Sequence, residues 1–296
     1  MFFKVPHHIR ISLIILISSL IACTNKTNPV NLGSNHPDII FFENNINIRN
    51  ALLKEMNVDE LNTALNNVMK TTAGTISVAD SPNGIITITF NDGENDYDFY
   101  SDKFRKFEKK LVDTNGTLDK NDDTYYTIYT FAATNDNGNL LELGAGSLKT
   151  PLLYSNFGMI NNAYYFGYGN TDKEQDFVSG QSFTGITFAT LDKGNEKKNL
   201  EGSVKLEINA QETLEINFAN YYTFKFIDKN YHNFIDNRDY GKEGFKDTLK
   251  KFNTNGNITG STDYKGYGDV EAKEAVGVYN ISDDNGLKIN GSFGAN

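Results

Sequence analysis

Apolar residues change their spacing once along this chain, near residue 70. Ile48, Leu52 and Met56, then Leu61, Leu65 and Val68, recur every three to five residues, a helical period, and Asp59 stands where an N-cap would precede the second run. One broken helix or two short ones therefore fit residues 46–70. Beyond that point the period falls to two. Ile86, Ile88 and Phe90 share one face with Thr87 and Thr89 on the other, and Asn91-Asp92-Gly93 follows as a turn. Strands of the same kind are expected at 74–78, 124–132 and 140–143, between acidic, Asn- and Gly-rich turns. The second half alternates more regularly: Val204, Leu206, Ile208 and Ala210 face one way, Ser203, Lys205, Glu207 and Asn209 the other.

Short strands are expected near 163–169, 182–190, 202–210, 213–219, 221–227, 256–264, 274–282 and 286–293. Eight such strands suit a closed antiparallel barrel filled by its own side chains. Phe245, Leu249 and Phe252 keep helical spacing, so a short helix is expected over residues 241–252. The chain is thus mainly β: short helices plus antiparallel sheet over 46–150, then an eight-stranded antiparallel β-barrel over 151–296, divided at Thr150-Pro151.

The N-terminus adds a destination. Residues 1–22 carry Lys4 and Arg10 ahead of an apolar run over 11–22 that is too short to span a bilayer as a helix, the form of a signal peptide. Residues 23–45 begin rich in Asn, Thr and Ser, with Pro29 and Gly33, and read as a flexible tether. Cleavage after Ala22 removes Lys4 and Arg10 and no acid, so 26 basic residues against 38 acidic ones leave a net charge of -12. That sign disfavours nucleic acid as a partner. With a single cysteine, at position 23, no intramolecular disulfide is available to the folded part.

Candidate chemistry is sparse. After the leader only His36 and His232 remain, too few for a histidine-rich zinc site, and there is no Gly-x-Ser-x-Gly elbow to accompany His232 in a triad. Neither phosphate-binding glycine motif occurs; Gly144-Ala145-Gly146 and Gly167-Tyr168-Gly169 lack a third glycine in context. The carboxylates of 92–98 and 113–123 fall in polar turns, where they stay ionised and solvated, and Asp113-Thr114-Asn115-Gly116 reads as an Asx turn. No enzymatic activity is expected. Tyr125-Tyr126, Tyr164-Tyr165 and Tyr221-Tyr222 would each put one ring outward on a strand, a side chain favoured at recognition surfaces.

Two resemblances sharpen this. Leu20-Ile21-Ala22-Cys23 resembles the bacterial lipobox, which implies that Cys23 is acylated and anchors the chain; Thr24 in place of Asp implies sorting to the outer membrane. In the second half, Gly266-Tyr267-Gly268-Asp269-Val270-Glu271-Ala272-Lys273-Glu274-Ala275-Val276-Gly277-Val278-Tyr279 is similar to the barrel motif of transferrin-binding protein B, factor H-binding protein, the hemoglobin-haptoglobin utilisation lipoprotein and the hemophilins. Gly291-Ser292-Phe293-Gly294 resembles their closing strand. Leu153-Tyr154-Ser155-Asn156-Phe157-Gly158 and Gly180-Gln181-Ser182-Phe183-Thr184-Gly185 resemble the entry to that barrel and one of its strands. The glycines in this motif, with Ala272, Glu274 and Phe293, report fold rather than chemistry.

The resemblance implies a single-lobed protein with a variable handle before the barrel, exported to the cell surface by a Slam-type translocon. It implies capture of a host iron or heme carrier (hemoglobin or transferrin), or of heme itself, and transfer to a TonB-dependent receptor. Two alternatives stand beside this: capture of a complement regulator of the factor H kind, and a structural envelope lipoprotein. No cofactor or metal is required, and heme enters only as transported ligand. If heme is bound directly, Tyr231 and His232 are the candidate axial ligands and Phe234 the candidate cover for the porphyrin, in a loop at the barrel edge.

Overall fold

The computed structural model describes residues 45–113, 124–144, 151–194, 196–218, 222–236 and 257–296. Signal peptide, Cys23, tether and the helix expected at 241–252 lie outside the described residues, as does nearly all of the turn expected at 113–116.

Two helices open the fold, α1 (Asn45–Leu53) and α2 (Val58–Asn66). The break is set by Lys54 and Glu55, both in the left-handed region at φ 50° and 68°. It is set equally by Asn57, which caps α2 in place of the expected Asp59: its side chain accepts from Glu60 N while the Glu60 carboxylate accepts from Asn57 N, a reciprocal capping box. Leu61, Ala64 and Leu65 of α2 are buried against a three-stranded sheet of β2 (Thr75–Asp80), β3 (Ile86–Asn91) and β4 (Asp96–Tyr100).

The second layer has six strands in the order β1-β9-β8-β7-β6-β5: β1 (Met69–Lys70), β5 (Arg105–Asp113), β6 (Thr124–Thr134), β7 (Leu140–Gly144), β8 (Ser155–Ile160) and β9 (Tyr164–Gly169). The strands β4 and β5 were not anticipated. In Asp96-Tyr97-Asp98-Phe99-Tyr100 only Phe99 is buried, so the segment has the composition of the polar turn it was taken for.

The short strand β10 (Glu174–Gln175) leads to a ring of β11 (Ser182–Lys193), β12 (Glu196–Ile208), β13 (Glu212–Phe218), β14 (Tyr222–Ile227), β15 (Asn230–Asp236), β16 (Ile258–Tyr267), β17 (Glu274–Asp283) and β18 (Lys288–Ala295). Consecutive neighbours pair antiparallel from β11 to β18, and β18 returns to β11 from Gly185↔Ala295 to Asp192↔Lys288, which closes the eight-stranded barrel. Its interior is filled. Phe218, Phe224, Phe226, Tyr279 and Phe293 are fully buried, and Phe218 meets Phe224 edge-to-face at 6.0 Å.

Two expectations need correcting here. The strand expected at 163–169 is β9, which belongs to the six-stranded sheet through Phe157↔Gly167 and Met159↔Tyr165, so the sheets divide between β9 and β10 and not at Thr150-Pro151. Its place in the ring is taken by β15, which contains the Tyr231-His232 segment expected to be a loop. A register shift at Lys225/Phe226 pairs Lys225 with Asn233 and Phe226 with Tyr231, leaving His232 as the extra residue of a bulge. That extra residue interrupts the alternation by which a strand is recognised.

Every residue of β8 and β9 is buried. The handle core covers one face of this sheet and the barrel wall covers the other. The expectation that one ring of Tyr164-Tyr165 points outward is therefore wrong: Tyr164 packs tilted against Phe90 at 4.5 Å in the handle core, while the Tyr165 hydroxyl meets Thr190 of β11. Side chains of Tyr125, Tyr126, Tyr221 and Tyr222 lie outside the described residues.

Candidate functional site

Buried polar groups gather where the end of α1 meets β8 and β9 on the handle side of the sheet, and where the segment entering β8 meets the barrel. The last carbonyls of α1 have no partner within the helix. Asn156 Nδ2 donates to Ala51 O at 3.0 Å, Tyr168 Oη to Leu52 O at 3.0 Å and Asn170 Nδ2 to Lys54 O at 3.1 Å. Asn156 Nδ2 also donates to Tyr168 Oη at 2.7 Å, so β8 and β9 hold the helix end as one network.

Two charges are buried beside it. Lys54 is 6% exposed and its Nζ donates to Leu152 O at 2.6 Å. Desolvation pulls its pKa down to about 8, against the opposing attraction of Glu274. Glu274, at the start of β17, is 3% exposed. Its carboxylate accepts from Leu153 N, from Tyr154 N at 3.1 Å and from Ser155 Oγ at 2.8 Å, so it fastens the segment entering β8. Further out, Tyr154 Oη donates to Asp269 at 2.6 Å and Lys173 Nζ pairs with the same carboxylate at 2.7 Å; Lys173, then Tyr154, hold that carboxylate below its ordinary pKa.

The motif residues are thereby placed. Gly266 in β16 and Gly268 just after it leave room for the 271–272 backbone and Ala272 to pack close ahead of Glu274, while Gly277, Gly291, Phe293 and Gly294 lie on β17 and β18 beneath the six-stranded sheet. At Gly167 and Gly277 the two backbones meet: a Cβ on Gly167 would stand 3.3 Å from Gly277 N.

Removing the Glu274 carboxylate by Glu274→Ala leaves two backbone donors and a buried hydroxyl without their acceptor, and is expected to cost about 3 kcal/mol. Glu274→Gln, which keeps one acceptor oxygen, is expected to cost less. Urea midpoints would order the three proteins as wild type, Gln, Ala; an unchanged midpoint for Glu274→Ala would remove Glu274 from this role.

A cleft of about 660 Å³ opens beside Lys54. Leu53, Met56, Phe131, Pro151, Leu152 and Leu153 contribute apolar walls, and Lys106 and Glu55 supply charges alongside Lys54. Leu153 is 62% exposed and stands at the rim.

The residues named for heme do not converge. The Tyr231 ring is half-buried and packs edge-to-face on Phe226 at 6.2 Å, against the barrel core. His232 is exposed. The backbone of Phe234 pairs with Phe224, and its side chain lies outside the described residues. Among the described residues no group of three or more His, Cys, Asp or Glu side chains is placed to hold a metal. Lys54 and the carbonyls it neighbours were missed by sequence reasoning. The available signal was a lysine and a glutamate at a helix end with no glycine or asparagine there to terminate it.

No protein-family model matches the chain, and no curated protein matches it. Among solved structures it is similar to a Bacteroides fragilis protein described as a candidate outer membrane protein, at 10% identity over 77% of this chain and 93% of that one, with a TM-score of 0.20. It is similar also to a DUF3598-family protein of unknown function from Nostoc punctiforme, at 7% identity over 84% of this chain and 97% of that one, with a TM-score of 0.22. Neither is described as a transferrin-binding lipoprotein, and likeness at this level carries no functional argument.

Proposed function

We propose that this chain is a non-enzymatic lipoprotein of the transferrin-binding-protein-B type, anchored in the outer membrane through Cys23 and facing outward. In this reading it binds a host iron or heme carrier, or heme itself, and passes iron or heme to a TonB-dependent receptor. The observation that supports it most is the filled barrel: with Phe218, Phe224, Phe226 and Phe293 packing its interior, a ligand is met on the outer surface or at the handle, not inside. The lipobox at 20–23 and the motif over 266–279 agree with it. Since Tyr231 faces the core, direct heme ligation would fall to the exposed His232 alone.

The test uses intact cells and the purified lipoprotein. Labelled fatty acid should be incorporated by wild type and not by Cys23→Ala, and protease added to unbroken cells should remove the protein. The purified protein should bind at least one of hemoglobin, transferrin and hemin. Binding to factor H alone would transfer the protein to immune evasion. Protease protection until lysis, with none of these ligands bound, would leave the structural envelope role.

A further inference from the structure

The cleft beside Lys54 holds a combination that the host-ligand reading does not use. A lysine ammonium has three donors, and among the described contacts this one has a single acceptor, Leu152 O. A buried cation so poorly supplied with acceptors is costly, because desolvation of its remaining donors is uncompensated. Glu274, the anion that acts on it electrostatically, has its own oxygens occupied by the 153–155 segment. Lys54 lines the cleft together with Lys106 and Glu55.

The remaining wall is hydrocarbon. Leu53, Met56, Phe131, Leu152 and Leu153 are flexible or flat apolar side chains without a fixed pattern of donors, suited to a chain rather than to a polar ring system. A volume of about 660 Å³ lies within the range of small-ligand sites.

We infer that this cleft binds a long-chain carboxylate, its acid group paired with the Lys54 ammonium and its acyl chain laid against Leu53, Met56, Phe131 and Leu152. The carboxylate supplies the acceptors that the buried ammonium lacks. The bound chain would also cover the exposed Leu153 at the rim. An acyl alcohol would fill the walls and accept one hydrogen bond from the ammonium, but it would bring no opposite charge to it. A short acid such as acetate would meet the ammonium and leave the walls wet. This site does not rest on the host-ligand reading, and neither outcome of that test bears on it.

The experiment uses the chain from Thr24 onward, made without its leader so that neither its own lipid nor detergent competes. Sodium laurate, dodecan-1-ol and dodecyltrimethylammonium share a chain length and differ in head group. Calorimetric titration should give one laurate per chain, bound about tenfold or more tighter than either of the others. Lys54→Met should weaken laurate by about tenfold or more and leave the alcohol unaffected or tighter. Because Lys54 is buried, Leu153→Asp is the second variant: the residue is exposed, so folding is retained, and a carboxylate at the rim should weaken laurate and not the cationic amphiphile. Equal binding of the three probes, no laurate binding, or laurate affinity unchanged in both variants would overturn the inference.

Discussion

Gly277→Val is expected to cost more than about 3 kcal/mol, against less than about 0.5 kcal/mol for Ser282→Val five residues along the same strand. A Cβ at position 277 would stand 2.5 Å from the Asp263 carbonyl, 2.6 Å from the Tyr264 Cβ and 2.8 Å from the Phe293 ring. Two of these atoms belong to β16, whose register with β17 runs unbroken from Ile258↔Asp283 to Tyr267↔Glu274, so they have nowhere to move. The Gly167 backbone of β9 also lies against position 277. Valine would have to part either the barrel wall or the sheet that rests on it. Ser282 is half-buried and its hydroxyl meets only Thr259 at 3.2 Å near the surface, a site where a β-branched residue suits the strand. Urea denaturation followed by circular dichroism would compare the two. Similar midpoints would show that the close approach at Gly277 does not hold in solution.

Alkaline unfolding is the second large effect. Tyr165, Tyr168, Tyr267 and Tyr279 are buried, and burial raises each phenol above its ordinary pKa of 10.0. Tyr164 is pushed up to about 12 for the same reason. Above pH 10 the unfolded chain releases these protons and the folded chain retains them, so the stability they support is complete below pH 10 and is lost as pH rises. By pH 11 the four most deeply buried phenols together cost about 5 kcal/mol, against a total stability of about 5–15 kcal/mol for a typical domain. Lys54 acts in the opposite sense. Its folded pKa of about 8 lies below its ordinary 10.5, so stability gains about 2 kcal/mol between pH 8 and 10 as the unfolded state alone keeps the proton. The profile should therefore rise from pH 8, turn over near pH 10 and fall beyond it. Tyrosinate absorbance should lag behind pH and then jump together with loss of the β-sheet signal. Smooth titration of all tyrosines near pH 10 with the fold intact would contradict the burial described here.

The helices and most barrel strands could be read from period alone. In β12, Val204, Leu206 and Ile208 are buried, while Ser203, Lys205 and Glu207 on the opposite face retain partial or full exposure. The pattern failed where a local event reset the phase or where both faces were covered. His232 shifts the alternation of β15 by one residue and made a barrel strand look like a loop. Tyr164-Tyr165-Phe166-Gly167-Tyr168-Gly169 is apolar on both faces, and such a run does not reveal which sheet it joins.

By itself, the sequence determined the kinds of element, a mainly β chain with two short helices ahead of an antiparallel barrel, and the turn at Asn91-Asp92-Gly93. These are local properties, because periodicity records only how a segment divides its two faces between solvent and protein. Tertiary structure alone decided which eight strands close the ring, why Gly277 admits no side chain, and where Lys54 and Glu274 lie. Lys54 meets a carbonyl 98 residues away and Glu274 an amide 121 residues away. Nothing in the spacing of either residue along the chain encodes such a meeting. It follows from stacking the six-stranded sheet on the barrel, which buries two charges at the seam and leaves a cleft beside one of them.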